Sequence, residues 1–437
     1  MKTLLRLLLV AATLQLVLSA VFHAPMAKRD TLQAKLLREK RLHEFRVANR
    51  VYLAKFAKGG AHRAAAQTPF YDYGNMEYHL QVGVGSPPQL FEVIPDTGTG
   101  QAWIVDSSCD PNNSYYDCPI FCKESPVMCY QSCEDFCCPS NFTTPAPSAA
   151  RRLFDHGDPC ANKRQFVQTA SGTYTATNKT FNGSSELGYV SGFLGQDSYS
   201  FGDLAIAGVT FGQADRLSVS FTNAPMEGLL GLGFGDSAFD GKPSVIQQAI
   251  DSGLLDAPLF SIWLESKSGF PLDQPAGALT LGGVDAEHCS SEVTQVPLTS
   301  DSVYLINVAA FGTNGAKISG SSKTLVTIGA GQNIVPLAAM RDVTTATNAE
   351  YDWDFGFYEV DCSIQFTWSV WVNDDDELKV DQSTLLLNTP DGRCFLNFAY
   401  FEGGIGDVDL VLGTPFLRQY CTVYNPDTKV VSFAKNL

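Results

Sequence analysis

From about residue 69 onwards the chain is a succession of short apolar runs, each cut off by Gly, Pro, Asn or Asp. Runs of this kind, rich in Val, Ile, Leu and aromatics, read as β-strands bounded by turns. Tyr78–Val84, Leu90–Ile94, Ala102–Val105, Ala278–Leu281 and Val430–Phe433 are the clearest. Long helical periodicity is scarce. Its best example is Pro243–Ile250, with Pro243 at the start and Gly253 just past the end, where each residue type suits a helix terminus. The expected fold class is therefore mainly β. With 437 residues, 45% hydrophobic and 17% charged, the chain has length and apolar content for two substantial lobes with ordered cores.

The first 66 residues differ. Met1 to Ala20 reads as a signal peptide, with Lys2 as the positive start, Leu7–Leu18 as the apolar stretch and Leu18-Ser19-Ala20 as a small-residue cleavage site. That stretch falls short of the roughly 20 apolar residues a membrane span needs. The expectation is an exported chain without a membrane anchor, in the extracellular space or the lumen of the secretory or lysosomal pathway. Residues 21–66 read as a basic pro-segment. Leu32, Leu36, Leu37, Phe45, Val47 and Val51 recur at helical spacing, so 31–57 is expected to be helical. Gly59-Gly60 and Arg63-Ala64-Ala65-Ala66 form a small-residue linker. Residues 21–65 hold eleven Lys/Arg against three Asp/Glu, a net of +8, whereas 66–437 holds 17 against 43, a net of −26. A basic segment leading an acidic body suggests electrostatic docking of one on the other, an amphipathic helix being the plainer alternative. A body this acidic repels nucleic acid, which is excluded as a partner.

Twelve cysteines, none in the signal, give an even count. Eight crowd together: Cys109, Cys118, Cys122, Cys129, Cys133, Cys137, Cys138 and Cys160. The Cys-x3-Cys spacings there would also suit zinc, but export favours disulfides. Sequons at Asn112, Asn141, Asn178 and Asn182 point to the same compartment. The six histidines show no metal-like spacing, so no metal and no cofactor is expected. Asp374-Asp375-Asp376-Glu377 reads as a solvated turn, with a calcium site as the remote alternative. Gly83-x-Gly85 precedes a hairpin, not the helix a dinucleotide site requires.

A faint duplication runs through the body. Val93-Ile94-Pro95-Asp96-Thr97-Gly98 is an apolar strand entering a tight turn, followed later by Gly228-Leu229-Leu230-Gly231. Leu325-Val326-Thr327-Ile328-Gly329 and Leu410-Val411-Leu412-Gly413 repeat the arrangement. Glycines closing each segment let two backbones pass closely. Ahead of Asp96 lies Val82-Gly83-Val84-Gly85-Ser86-Pro87-Pro88-Gln89, and behind it Trp103-Ile104-Val105. Here the sequence resembles the pepsin-like aspartic proteases, whose first active-site region runs through such a Pro-Pro hairpin to Asp-Thr-Gly. The resemblance continues through Gly228–Phe234, Gly282-Gly283-Val284-Asp285, Cys362 with Cys394, and Leu412-Gly413-Thr414-Pro415-Phe416-Leu417-Arg418-Gln419-Tyr420.

The resemblance implies a bilobal pepsin-like fold with a central cleft between two related β-rich lobes. These are expected at 69–257, with a cysteine-rich insertion at 109–160, and at 258–437. It also implies two facing aspartates that share one proton around a water, one acting as base and the other as acid. Asp96 matches the first, with Thr97 and Gly98 completing its turn. The second turn should open on Asp, yet reads Thr327-Ile328-Gly329. A threonine hydroxyl supplies neither the charge nor a proton at a matched pKa. Ile328 also replaces the hydroxyl residue that braces the opposite loop in the family, which would leave Thr97 without its usual partner. The flap hairpin of the family maps to Phe181–Gly192, where Gly188 matches the family's pattern. The family's flap tyrosine falls on Ser185, and Tyr189 is the nearest aromatic. Cys289 and Cys421 are left to bridge each other.

Asp251-Ser252-Gly253 imitates the missing tripeptide but follows a helical pattern, so it reads as a helix end. The leading expectation is a monomeric, inactive homologue whose cleft holds a peptide or protein segment without cutting it. One rival is an active acid endopeptidase recruiting another carboxylate opposite Asp96. The other is a secreted interaction protein working through the 109–160 insertion.

Overall fold

The computed structural model describes residues 22–27, 77–111, 158–185, 188–202, 204–218, 221–222, 224, 226–266, 275–352, 355–389, 391–400 and 408–437. The expected helix at 31–57, Asn112, Asn141 and the cysteines from Cys118 to Cys138 lie outside these residues. So does most of the 109–160 insertion.

The described chain is mainly β and adopts the bilobal pepsin-like arrangement, built from three sheets of thirteen, seven and four strands. The largest sheet joins the two halves of the sequence. Its order runs from Cys289–Pro297 through Val430–Asn436, Tyr420–Asn425, Phe260–Leu264 and Pro275–Leu281 to Phe22–Ala27. It then continues through His79–Val84, Gln89–Asp96, Gly228–Gly231, Ala102–Val105, Leu204–Leu217 and Gly188–Phe201 to Thr175–Ser185. Phe22–Ala27, from the basic segment, is a central strand that pairs antiparallel with Pro275–Leu281 and with His79–Val84. Pro25 within it and the flanking charges hid this strand from the sequence pattern.

The strands expected from apolar runs all form, several longer than their apolar residues suggest. Gln89–Asp96 has alternate residues Phe91 and Val93 buried, and Val430–Asn436 extends past Phe433. The helix expected over Pro243–Ile250 spans Val245–Asp251. Ser244 caps it, its Oγ accepting the Gln247 N–H at 3.3 Å, and it buries Val245, Ile246 and Ala249. Asp251 ends this helix and accepts from Gln247 Nε2 at 2.8 Å on the surface, so the decoy tripeptide is a helix terminus. Asp374–Asp376 form an exposed turn in which the Asn373 side chain accepts the Asp375 and Asp376 N–H groups.

The duplication is structural. Gln89–Asp96 lies parallel to Gly228–Gly231, with Ile94 opposite Leu229 and Asp96 opposite Gly231. Ile318–Val326 lies parallel to Leu410–Leu412, with Leu325 opposite Val411 and Val326 opposite Leu412. In both halves the glycine that ends the second strand lets the chain beyond the active-site turn pass against it. A Cβ on Gly231 would stand 2.3 Å from the Gln101 carbonyl oxygen, and one on Gly413 would stand 2.3 Å from that of Gln332. Contacts below 3.0 Å of this kind exclude any larger residue. Three disulfides occur among the described residues: Cys109–Cys160, Cys289–Cys421 and Cys362–Cys394.

Candidate active site

Each parallel strand pair delivers one turn to the junction between the halves, and the two turns meet. Asp96, half-buried at the end of its strand, is held from both sides. Its Oδ1 accepts the Gly98 N–H at 2.7 Å and the Thr327 hydroxyl at 2.8 Å. The Thr327 Oγ1 in turn accepts the Gly329 N–H at 3.0 Å. The two turns therefore hold matching local bonds, an oxygen at the first turn position accepting from the glycine two residues on. Thr327 Oγ1 occupies the seat that Asp96 Oδ1 occupies in its own loop, and no atom of Thr327 corresponds to Asp96 Oδ2. Gly329 packs on the carboxylate so closely that a Cβ would fall 2.3 Å from Oδ1.

Burial pushes the Asp96 carboxyl above its ordinary value, against the opposing pull of the Gly98 and Thr327 hydrogen bonds. Desolvation disfavours the charged form, and here it outweighs two donors to that form. Among the described residues no second carboxylate is hydrogen-bonded to Asp96.

Thr97 behaves differently from expectation. Its buried hydroxyl reaches across to the second turn, donating to the Val326 carbonyl at 3.2 Å and accepting the Ile328 N–H at 3.3 Å. The brace between the loops survives on this side because both its partners are backbone groups. Ile328 is buried and has no hydroxyl with which to return the bond.

The flap hairpin forms from Thr175–Ser185 and Gly188–Phe201, with Ser185 opposite Gly188 and Ser184 opposite Tyr189. Tyr189 follows the turn instead of preceding it. Its backbone is clamped at both ends: its N–H donates to Ser218 Oγ at 2.8 Å, and its carbonyl accepts the Ser218 N–H at 2.9 Å. Along the first strand of the hairpin Phe181 packs against Phe239 with tilted rings and centroids 4.9 Å apart, and Lys179 pairs with Asp240. Phe181 and Phe239 belong to a buried apolar cluster with Ile94, Trp103, Phe221 and Met226. Nothing in the sequence marked Ser218, Phe239 or Asp240 as flap anchors, since each lies between 29 and 61 residues from its partner with no local pattern linking them.

A family model of eukaryotic aspartyl proteases matches residues 77–436. The chain belongs to that family. This aspartyl protease homologue is 30% identical over 368 residues to Aspartic protease 2 of Necator americanus, covering 83% of this chain and 84% of the relative. It is 28% identical to Aspartic protease 1 of Caenorhabditis elegans, covering 99% and 98% of the two chains. It is 27% identical to Pepsin A of Rhinolophus ferrumequinum, over 95% of each. The match spans both halves and so includes both turns, Asp96-Thr97-Gly98 and Thr327-Ile328-Gly329.

Proposed function

We propose that this chain is an exported aspartyl protease homologue that holds an extended peptide between its lobes and does not hydrolyse it. The observation that carries the reading is the pairing of Asp96 with a threonine. Aspartic protease chemistry needs two carboxyl groups sharing a proton, because like charges about 3 Å apart cannot both ionise and are thereby driven to opposite protonation states. Among the described residues Asp96 is hydrogen-bonded to an alcohol and to no second carboxyl group. The Thr327 proton is committed to Asp96 Oδ1, and its Oγ1 is committed to the Gly329 N–H. Neither is placed to protonate a scissile carbonyl. Removing one member of a cooperating catalytic set costs on the order of 10⁴-fold in rate or more.

Peptide holding needs less. Backbone hydrogen bonds to an extended segment and pockets for alternate side chains suffice, and the flap hairpin formed by Thr175–Ser185 and Gly188–Phe201 supports that reading. The test uses the protein purified after export, incubated with denatured haemoglobin in acid, and in parallel a peptide-library binding measurement. Retention of peptides with no cleavage is the expected result. Pepstatin-sensitive cleavage that Asp96→Ala abolishes would overturn the reading.

A further inference from the structure

The strand Thr175–Ser185 is the last strand of the thirteen-stranded sheet among the described residues, and it carries two of the four sequons, Asn178-Lys179-Thr180 and Asn182-Gly183-Ser184. Both asparagines are exposed. They reach solvent for different reasons. Between Ala176 and Thr180 the pairing with the neighbouring strand slips: four residues on this strand span the two-residue step from Gly195 to Phe193. Asn178 sits in that bulge with φ 56°, a left-handed conformation that Asn tolerates better than most residues. On either side of it, the Thr177 hydroxyl is bonded to the Leu194 carbonyl at 2.6 Å and Lys179 is paired with Asp240. Asn182 reaches solvent by strand alternation. Phe181 before it is buried, and a Cβ on Gly183 after it would meet Val190 at 2.9 Å, so the residue between them points outward.

We propose that Asn178 and Asn182 carry N-linked glycans, and that these cover the outer edge and outer face of the flap hairpin. The proposal rests on export into a compartment where such transfer occurs. In the transfer each asparagine Nδ2 gives up a proton and forms a bond to the anomeric carbon of a lipid-pyrophosphate-linked oligosaccharide, whose lipid pyrophosphate leaves. The reaction needs the amide in an extended or turn segment that the folded protein then leaves in water, and both positions meet that condition. Glycans here solve a problem specific to this edge. Among the described residues no further strand pairs with this edge; such an edge presents N–H and C=O groups that recruit foreign strands, and bulky hydrophilic chains projecting from two positions four residues apart block that approach. Phe181 and Val190, on the opposite face, stay directed at the lobe.

The experiment expresses the full chain in a eukaryotic secretory host, recovers it from the medium, and maps peptides before and after amidase release of N-glycans in heavy-oxygen water. Both asparagines are expected to emerge as labelled aspartate. Thr180→Ala should abolish the label at position 178 only, and Ser184→Ala at position 182 only, with circular dichroism unchanged. Both variants leave the asparagine itself, and so the left-handed bulge, in place. Recovery of the processed chain with the two asparagines unmodified overturns the proposal on its own. Retention of the chain in the cytosol with residues 1–20 attached overturns it through the export reading.

Discussion

Thr327→Asp, alone and together with Ile328→Thr, tests the proposed inactivity by restoring the one carboxyl group that the second turn lacks. The backbone is already set for it. The seat at Thr327 Oγ1 lies 2.8 Å from Asp96 Oδ1 and receives the Gly329 N–H at 3.0 Å, so one carboxylate oxygen can take over both bonds. The second oxygen would then stand opposite Asp96 Oδ2. Two unit charges about 4 Å apart at an effective dielectric of about 20 repel by about 4 kcal/mol. At about 1.4 kcal/mol per pKa unit, that separates the two macroscopic titrations by about 3 units. Over that interval one group is an acid and its neighbour a base, which is the condition wild-type Asp96 lacks.

Cleavage of an internally quenched peptide should rise on the order of 10³- to 10⁴-fold over wild type in acid, with a bell-shaped pH dependence and loss on adding Asp96→Ala. The same repulsion should lower the variant's Tm relative to wild type at neutral pH, and acidification should close the gap. A variant that folds, shows this pH-dependent destabilisation, and still does not cut would refute the reasoning, because the paired carboxyls would be present without consequence. A wild type as active as the variant would refute it from the other side.

Burial raises the Asp96 pKa, so the folded state favours the protonated acid. The stability this group contributes is complete below its unfolded pKa and is lost as pH rises through the raised one. Asp96→Asn, which cannot ionise, should therefore gain Tm relative to wild type across that rise and hold a constant difference above it; a gain that shrinks with pH contradicts burial as the dominant cause. Thr97→Val strips the bond to the Val326 carbonyl and the Ile328 N–H, leaving two buried backbone groups short of a partner. Urea unfolding should show a loss of about 1–3 kcal/mol, and Thr97→Ser should restore most of it. Replacing Cys289 and Cys421 by Ala opens a loop of 132 residues. The chain-entropy relation gives about 5 kcal/mol, measurable as a fall in urea midpoint, and reduction of the wild type, which also opens Cys109–Cys160 and Cys362–Cys394, should lower the midpoint further.

What the sequence disclosed follows from how locally each feature is encoded. The strands were legible because apolar runs and turn residues are neighbours in the chain. The two meeting turns were legible because each half repeats the same apolar-Gly device, and Gly231 and Gly413 do permit matching close passages. The strand at Phe22–Ala27 was not legible, since its place between Pro275–Leu281 and His79–Val84 is decided by partners more than 50 residues away. The flap anchors at Ser218, Phe239 and Asp240 were hidden for the same reason.

The loop brace is the instructive case. Side-chain identity at position 328 suggested that Thr97 had lost its counterpart, yet the Thr97 hydroxyl bonds to the backbone at Val326 and Ile328. No substitution of a non-proline side chain removes those groups. Half of the brace is thus immune to change at position 328, and only the returning bond depends on a hydroxyl there. The site at position 327 has no such insurance. A carboxyl group is a side-chain property alone, and a backbone that preserves the seat, the Gly329 donor and the 2.8 Å contact to Asp96 does not supply the second acid. That asymmetry explains how the two loops keep their architecture while the side chain at position 327 is no longer a carboxyl group.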